Sequence, residues 1–562
     1  MRLREGQQTD NRRIRSLRRD NKTIKNRVSF RSVSTTIYAL VCVNIILLGV
    51  GNYVALSGGR GETAGSRADD SGGTGATNDP RGLLANKPNP SEVSGELNVR
   101  RGGAPSRTQD RKTLDEKWKS DPSLDEEKLE RIRGHTSKNN NGDNSGGAGG
   151  DDKYQIVFST DCSPYQHWQA YVLFYSALKV GQRGYVTRIA SGCSEEEGKA
   201  ELDWHNRHIR GVMSERFKIH LTPHFSSVVE KDGEVVGNYE FFNKPFGMRH
   251  WMENGEGMGI NPKSGKMRDE DAIIVLLDPD HILLRPFTDD FSDDKETIVN
   301  GIHKENRKTR VEHGSPFGQF YGLGSKWLEF NLAEITSDRE SPAKQVPNHE
   351  AQRDYPAGPP YLATARDMYL IVTKWAEFVP KVHNEYPFLL AEMYAYCIAA
   401  AHVKLPHQIV QSMMVSDTKM RHNEGWDFVD KIPAENICEY ASALDHKKHA
   451  LPNVLHHCQR YMLGKHFFGK RRLAKDFFTC ESPMLVEIPG DIALRYDYQS
   501  PPPPHKPSGE KKPVKDYVVK REAFMLCAIT AAMNEASDFF KRHACEGVER
   551  TSYEKSLDLW HM

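Results

Sequence analysis

Residues 154–190, YQIVFSTDCSPYQHWQAYVLFYSALKVGQRGYVTRIA, decide the fold class. Tyr154 to Thr160 is largely β-branched and aromatic, the pattern of a buried strand. From Tyr165 to Val180 the apolar residues recur at helical spacing, and Gly181 ends the run. Tyr185 to Ala190 returns to strand pattern. Strand, helix and strand within about 35 residues form a βαβ unit, which predicts a parallel sheet and an α/β architecture.

Working outward, Ala272-Ile-Ile-Val-Leu-Leu277 reads as a further, central parallel strand because it is apolar throughout. Helices are expected over Pro245–Glu253, Ala365–Phe378 and Pro387–His402. The Pro-rich stretch 499–516 breaks the pattern, and a last helix resumes over Tyr517–Arg542. Its Leu526, Ile529, Met533, Ala536 and Phe540 make one apolar stripe that needs a partner, most simply the preceding domain over 153–498.

The N-terminal side differs in kind. Met1 to Arg31 carries 11 Lys/Arg against three acids, and Ile37 to Leu56 has no charged residue. About 20 apolar residues at 1.5 Å per residue span a bilayer core of roughly 30 Å. The basic flank predicts a cytosolic tail (1–36), a signal anchor (37–56) and a type II single-pass topology. Cleavage near Ala55-Leu56-Ser57-Gly58 stays open. Segment 57–152 is rich in Gly, Ser, Asn, Asp and Arg, and buries too little apolar surface to fold, so a disordered stalk is expected. Of nine cysteines, eight lie beyond the span, which in an oxidising compartment permits up to four disulfides. Either Cys527 or Cys545 could fasten the last helix. The 562-residue chain has a net charge of +1, so composition calls for neither a nucleic-acid nor an acidic partner.

The chemistry begins where the apolar strand ends, at Asp278-Pro279-Asp280-His281. Open α/β sheets bind ligands outside the C-terminal ends of their strands. Two carboxylates there suit Mn²⁺ or Mg²⁺, which takes few protein carboxylates and leaves positions for phosphate oxygens. The acidic run Asp289 to Asp294 lacks a preceding strand and reads as a solvated turn. Glu392 is the single charge on a helix that is apolar nearly all round. It needs a cationic partner, with Arg353 or Lys374 as candidates, or a use against a sugar hydroxyl. His456 or His457, in Leu455-His-His-Cys458, could complete a cation's shell. No phosphate-cradling Gly-rich lysine loop, dinucleotide fingerprint, serine elbow or His-Glu-x-x-His occurs in the chain.

Five stretches, in order, resemble the plant-type peptidyl O-glycosyltransferases, that is, the hydroxyproline O-arabinosyltransferases and peptidyl-serine α-galactosyltransferases. They are Ser159-Thr-Asp-Cys-Ser-Pro-Tyr-Gln-His-Trp-Gln169, Gly184-Tyr-Val-Thr-Arg188, Asn243-Lys-Pro-Phe-Gly-Met-Arg-His-Trp251, Asp278-Pro-Asp-His281 and Glu392-Met-Tyr-Ala-Tyr396. The resemblance implies a GT-A type, Rossmann-like nucleotide-sugar fold, a Golgi type II enzyme, a UDP-sugar donor, a divalent cation and retention at the anomeric carbon. It further implies that Asp278 and Asp280 hold the cation with His456 or His457. Thr160, Asp161, Arg188 and Lys244 would contact the donor, and Glu392 with Asp280 would serve catalysis on a secretory polypeptide. The family places His then Tyr where His456-His457-Cys458 stands, and the C-terminal helix has no clear equivalent in the arabinosyltransferases. The other readings are a non-catalytic sugar- or UDP-binding receptor, and a transferase acting on a glycan or lipid acceptor.

Overall fold

The computed structural model describes residues 153–229, 234–256, 258–292, 308–420, 422–502 and 511–562. The expected tail, span and stalk (1–36, 37–56, 57–152) and part of the Pro-rich stretch lie outside the described residues. Among the described residues no helix is long and apolar enough to cross a membrane.

The βαβ unit forms as its periodicity requires: β1 (Tyr154–Asp161), α1 (His167–Lys179) and β2 (Tyr185–Ser191). Next come β3 (Phe217–Thr222), the hairpin strands β4 (Ser227–Val229) and β5 (Val235–Asn238), and α2 (Asn243–Asn254). They are followed by β6 (Ile273–Leu277), β7 (His281–Leu283), β8 (Phe317–Phe320) and β9 (Ala357–Thr364). Then α3 (Ala365–Glu385), α4 (Ala391–His402), β10 (Gln408–Val410) and β11 (Met414–Val415) complete the second half.

One seven-stranded sheet has the order β10-β8-β9-β6-β1-β2-β3. Strands β6, β1, β2 and β3 are parallel neighbours, and β10 pairs parallel with β8. Only β9 runs against its neighbours, β6 and β8. The sheet is therefore mostly parallel, and β6 is parallel to β1 on one side alone. Alternation along the strands feeds two cores. Ile156, Phe158, Val275 and Leu277 face one layer, while Val157, Ile274 and Leu276 face the other. Both faces being covered explains why these strands are apolar without a polar side.

Two helix boundaries differ from the sequence reading. α3 continues past Pro380 to Glu385. α4 begins at Ala391 rather than Pro387, because Phe388 accepts from Ala391 N at 3.0 Å in a turn of its own.

The last helix, α5 (Asp516–Ala544), lays its stripe in the first core: Leu526, Ile529, Met533, Ala536 and Phe540 are all buried. Cys527 bonds Cys438 and Cys545 bonds Cys480, so both candidate cysteines fasten it. A third disulfide, Cys162–Cys193, joins the segments that follow β1 and β2. Among the described residues Cys397 and Cys458 form no disulfide. Asp289 departs from its reading as part of a solvated turn. It is buried and accepts from Lys153 Nζ at 2.5 Å and Tyr154 Oη at 2.6 Å, anchoring the start of β1. Its neighbour Asp290 is exposed and pairs with Arg310.

Candidate active site

The chain leaves β6 through Asp278-Pro279-Asp280 and turns back at once, with His281 N donating to Asp278 O at 3.2 Å. This turn sets β7 against β12 (Val454–His456), antiparallel, with His281 opposite His456. His457 N donates to Asp280 O at 3.0 Å, which fixes the register at the end of the ladder. The carboxylate of Asp280 thereby meets a side chain far along the sequence: Oδ1 lies 3.2 Å from His456 Nε2. Its Oδ2 accepts from Lys470 Nζ at 2.6 Å, and Lys470 follows strand β13 (His466–Gly469). On the other side, Lys244 Nζ sits 2.7 Å from Asp278 Oδ1 and 3.3 Å from Glu392 Oε1. The row Glu392–Lys244–Asp278 thus stands beside the row His456–Asp280–Lys470.

Burial and pairing compete at each group. Burial alone would raise the Asp280 carboxyl, but the adjacent His456 and Lys470 charges hold it well below the usual range. Burial disfavours charged His456, and nearby Cys458 and Asp280 reverse that and raise it well above its ordinary value. Lys244 is likewise disfavoured by burial and raised on balance by Asp278 and Glu392. Glu392 is raised, because burial outweighs the Lys244 charge. Its partner is Lys244; Lys374 pairs with Glu377 and Arg353 with Asp354.

Thr160 and Asp161 end β1, the parallel neighbour of β6, with Phe158 opposite Leu277. They leave the same sheet edge as Asp278, beside it. Arg188 is fully buried. Its Nε donates to Thr160 Oγ1 at 2.9 Å, one Nη to Glu201 Oε2 at 2.9 Å, and the other to Asp161 O at 3.5 Å. Its donors are committed inside the protein, so it holds the end of β1 in place and presents no open face to a ligand. His457 parts from His456, since successive strand residues point to opposite faces. Its ring stacks on Trp168 at 5.4 Å, and burial pushes its pKa down to about 3.

Two contributors have no role of their own in the sequence reading, although His281 closes the Asp278-Pro-Asp-His281 stretch. Lys470 is one among 77 Lys/Arg with no local pattern to mark it. His281 is buried, with neither ring nitrogen hydrogen-bonded among the described residues, and it meets His456 edge to face at 4.5 Å. Ligand atoms of Asp278, His281 and His456 all lie within 4.8 Å of one another. Buried imidazole nitrogens without partners, facing carboxylates, are the donor set a borderline divalent cation takes. The residues fit such an ion, with Asp280 placed to join them.

No protein-family model matches the chain. By sequence it is 24% identical over 270 residues to a peptidyl serine alpha-galactosyltransferase of Arabidopsis thaliana, a match covering 47% of this chain and 28% of the relative. The chain thus spans little more than a quarter of the length of that curated relative. Among solved structures, the galactosyltransferase LgtC with donor and acceptor sugar analogues aligns at TM-score 0.26 and 10% identity, over 54% of this chain and 87% of the other. The bifunctional glycosyltransferase WbbM aligns at TM-score 0.28 and 8% identity, over 56% and 47%. At such scores these alignments add nothing to the sheet order as a description of the fold. The relatives found are glycosyltransferases by description, and the chain's sequence likeness is to a peptidyl-serine galactosyltransferase.

Proposed function

We propose that this chain is a GT-A type glycosyltransferase that moves an arabinose- or galactose-like sugar from a UDP-sugar to Ser or hydroxyproline hydroxyls of secretory polypeptides, with retention. One observation carries the reading. At the C-terminal edge of a mostly parallel sheet, Asp278 and Asp280 converge with His456, a residue brought from the far end of the domain by the β7–β12 pairing. That edge is where nucleotide ligands of α/β sheets bind.

A divalent cation held by Asp278, Asp280 and His456, with His281 adjacent, would offset charge on the departing UDP. Lys470 and Lys244 flank the carboxylates and are placed to take up phosphate oxygens. In the transfer, the bond from the anomeric carbon to the diphosphate oxygen breaks and one to the acceptor oxygen forms. The acceptor's proton leaves with UDP. Glu392, buried beside Lys244, would orient the sugar or the acceptor hydroxyl. Thr160 and Asp161, on the neighbouring strand end, would meet the nucleoside.

Placement in the Golgi membrane, with a type II anchor at 37–56 and the domain in the lumen, belongs to the same proposal. It is supported by the basic flank of that segment and by three disulfides, which form in oxidising compartments. The test is to incubate the chain with UDP-sugars, Mn²⁺ and acceptor peptides and to follow UDP release. Release with one donor, lost on Asp280→Ala, supports the reading. UDP binding without turnover for any donor would instead favour a non-catalytic receptor.

A further inference from the structure

An apolar ledge borders the candidate site. Phe388 and Leu389, in the turn before α4, are 58% and 62% exposed, and Phe241 is 41% exposed. Single exposed apolar side chains are ordinary on protein surfaces. These belong together, because Tyr239 joins them. Its hydroxyl donates to Leu389 O at 2.9 Å, lies 3.4 Å from Phe388 O and accepts from Glu392 N at 3.2 Å, while its ring meets that of Phe241 at 5.2 Å. Glu392 continues the path through Lys244 to Asp278. The ledge is therefore an extension of the site.

A second feature leads to the same place. β5 runs directly into Tyr239, and all four of its residues are exposed, Val235 and Val236 among them. Among the described residues β5 pairs with β4 alone, so its outer edge offers backbone N–H and C=O groups to an incoming strand.

Resting on the reading of this chain as a transferase to polypeptide hydroxyls, we propose that Phe388, Leu389 and Phe241 form the acceptor ledge. An extended polypeptide lies along it, adding its main chain to the open edge of β5. An apolar residue beside the acceptor hydroxyl seats on Phe388 and Leu389. Strand addition supplies affinity, and pockets for alternate side chains supply selectivity. A glycan fits the ledge poorly, because its hydroxyls need polar partners that phenylalanine and leucine side chains lack.

The experiment compares the full chain with a Phe388→Ser, Leu389→Ser variant. Both side chains face solvent, and melting curves are recorded for each protein. Acceptor peptides carry the hydroxyl between leucines or between aspartates. The wild type should show a KM about tenfold lower for the leucine peptide, and the variant should lose that advantage, as expected when two apolar side chains lose their contact. KM for the UDP-sugar should change less than KM for the leucine peptide. A leucine-flanked peptide carrying a photoreactive phenylalanine should crosslink to the 386–390 segment whether or not transfer occurs. Equal KM for both peptides, or crosslinking elsewhere, overturns the ledge. So does a preference for free glycans that the variant retains, or a dimer of the wild type that the variant loses. Absence of donor hydrolysis in every form, with the crosslink intact, would sink the catalytic reading and leave the ledge standing as a peptide site.

Discussion

Lys244 Nζ and Asp278 Oδ1 are 2.7 Å apart at the floor of the site, and the same ammonium lies 3.3 Å from Glu392. One lysine therefore pairs with two carboxylates that are both largely withdrawn from water. Removing one member of a buried charge group is costlier than never having had it, since the others are left unpaired.

Lys244→Met should accordingly destabilise the protein by about 3 kcal/mol. The double variant Lys244→Met, Glu392→Gln should recover part of that loss, because the second change removes a stranded carboxylate. Chemical denaturation of the four proteins in the cycle measures the coupling. Strict additivity would mean that the lysine does not hold Glu392.

Asp280→Ala leaves Lys470 and His456 facing each other without the carboxylate that joins them. Mn²⁺ affinity, followed by the loss of the free-ion signal in electron paramagnetic resonance, should fall on the order of a hundredfold. His457→Ala should leave Mn²⁺ affinity near wild type and lower stability instead, because its ring packs on Trp168. The opposite ranking would exchange the roles of the two histidines.

Glu522, on α5, is buried and accepts from Thr418 Oγ1 at 2.6 Å, Gln499 Nε2 at 2.8 Å and Met462 N at 2.9 Å. Burial pushes its pKa up from 4.5 to about 7 despite these donors. Between those two values the folded state binds more protons than the unfolded one, so stability falls as pH rises through that window and levels off above it. Glu424, raised by burial to about 6, adds a smaller fall of the same sign. Glu522→Gln should flatten most of the slope between pH 5 and 8 while lowering stability at pH 5, where the bond from Met462 N is lost. Melting temperatures across that range provide the check. An unchanged slope would place the titration elsewhere.

Two disulfides clamp α5, one near its middle and one at its C-terminus. Cys480→Ser with Cys545→Ser should cost about 2–4 kcal/mol while leaving Mn²⁺ affinity unchanged, because no residue of that bridge touches Asp280. Under native, non-reducing conditions alkylation should reach half-buried Cys458 and spare buried Cys397. Mass spectrometry of the alkylated peptides reads this directly, and the reverse pattern would contradict the packing around α4.

Much of the scaffold was legible because it is written in short-range periodicity. β1, α1, β2 and β6 each announce themselves within one stretch, and the apolar character of β6 already says that both its faces are covered. The stripe on α5 predicted burial, and the long-range core it joins supplied it. The boundaries at Ala391 and Glu385 were less visible, since a turn such as Phe388-Leu389-Leu390 has helix-forming residues and is set by the hydroxyl of Tyr239. Asp289 read as surface because nothing near it in sequence is its partner; Lys153 and Tyr154 are.

The sequence by itself determined the Asp278-Pro279-Asp280 carboxylate pair at the end of an apolar strand, the buried lone carboxylate of Glu392 and the pair of candidate histidines. Each is a property of residue type and near neighbours. Only the tertiary structure decided that His456 meets Asp280 while His457 turns to Trp168, that Lys244 is the partner of Glu392, that Arg188 is enclosed, and that Lys470 belongs to the site. A side chain's direction depends on which strand its own strand pairs with and in what register. A charge chooses its partner by distance through space, after the backbone has brought together segments that are far apart in the chain.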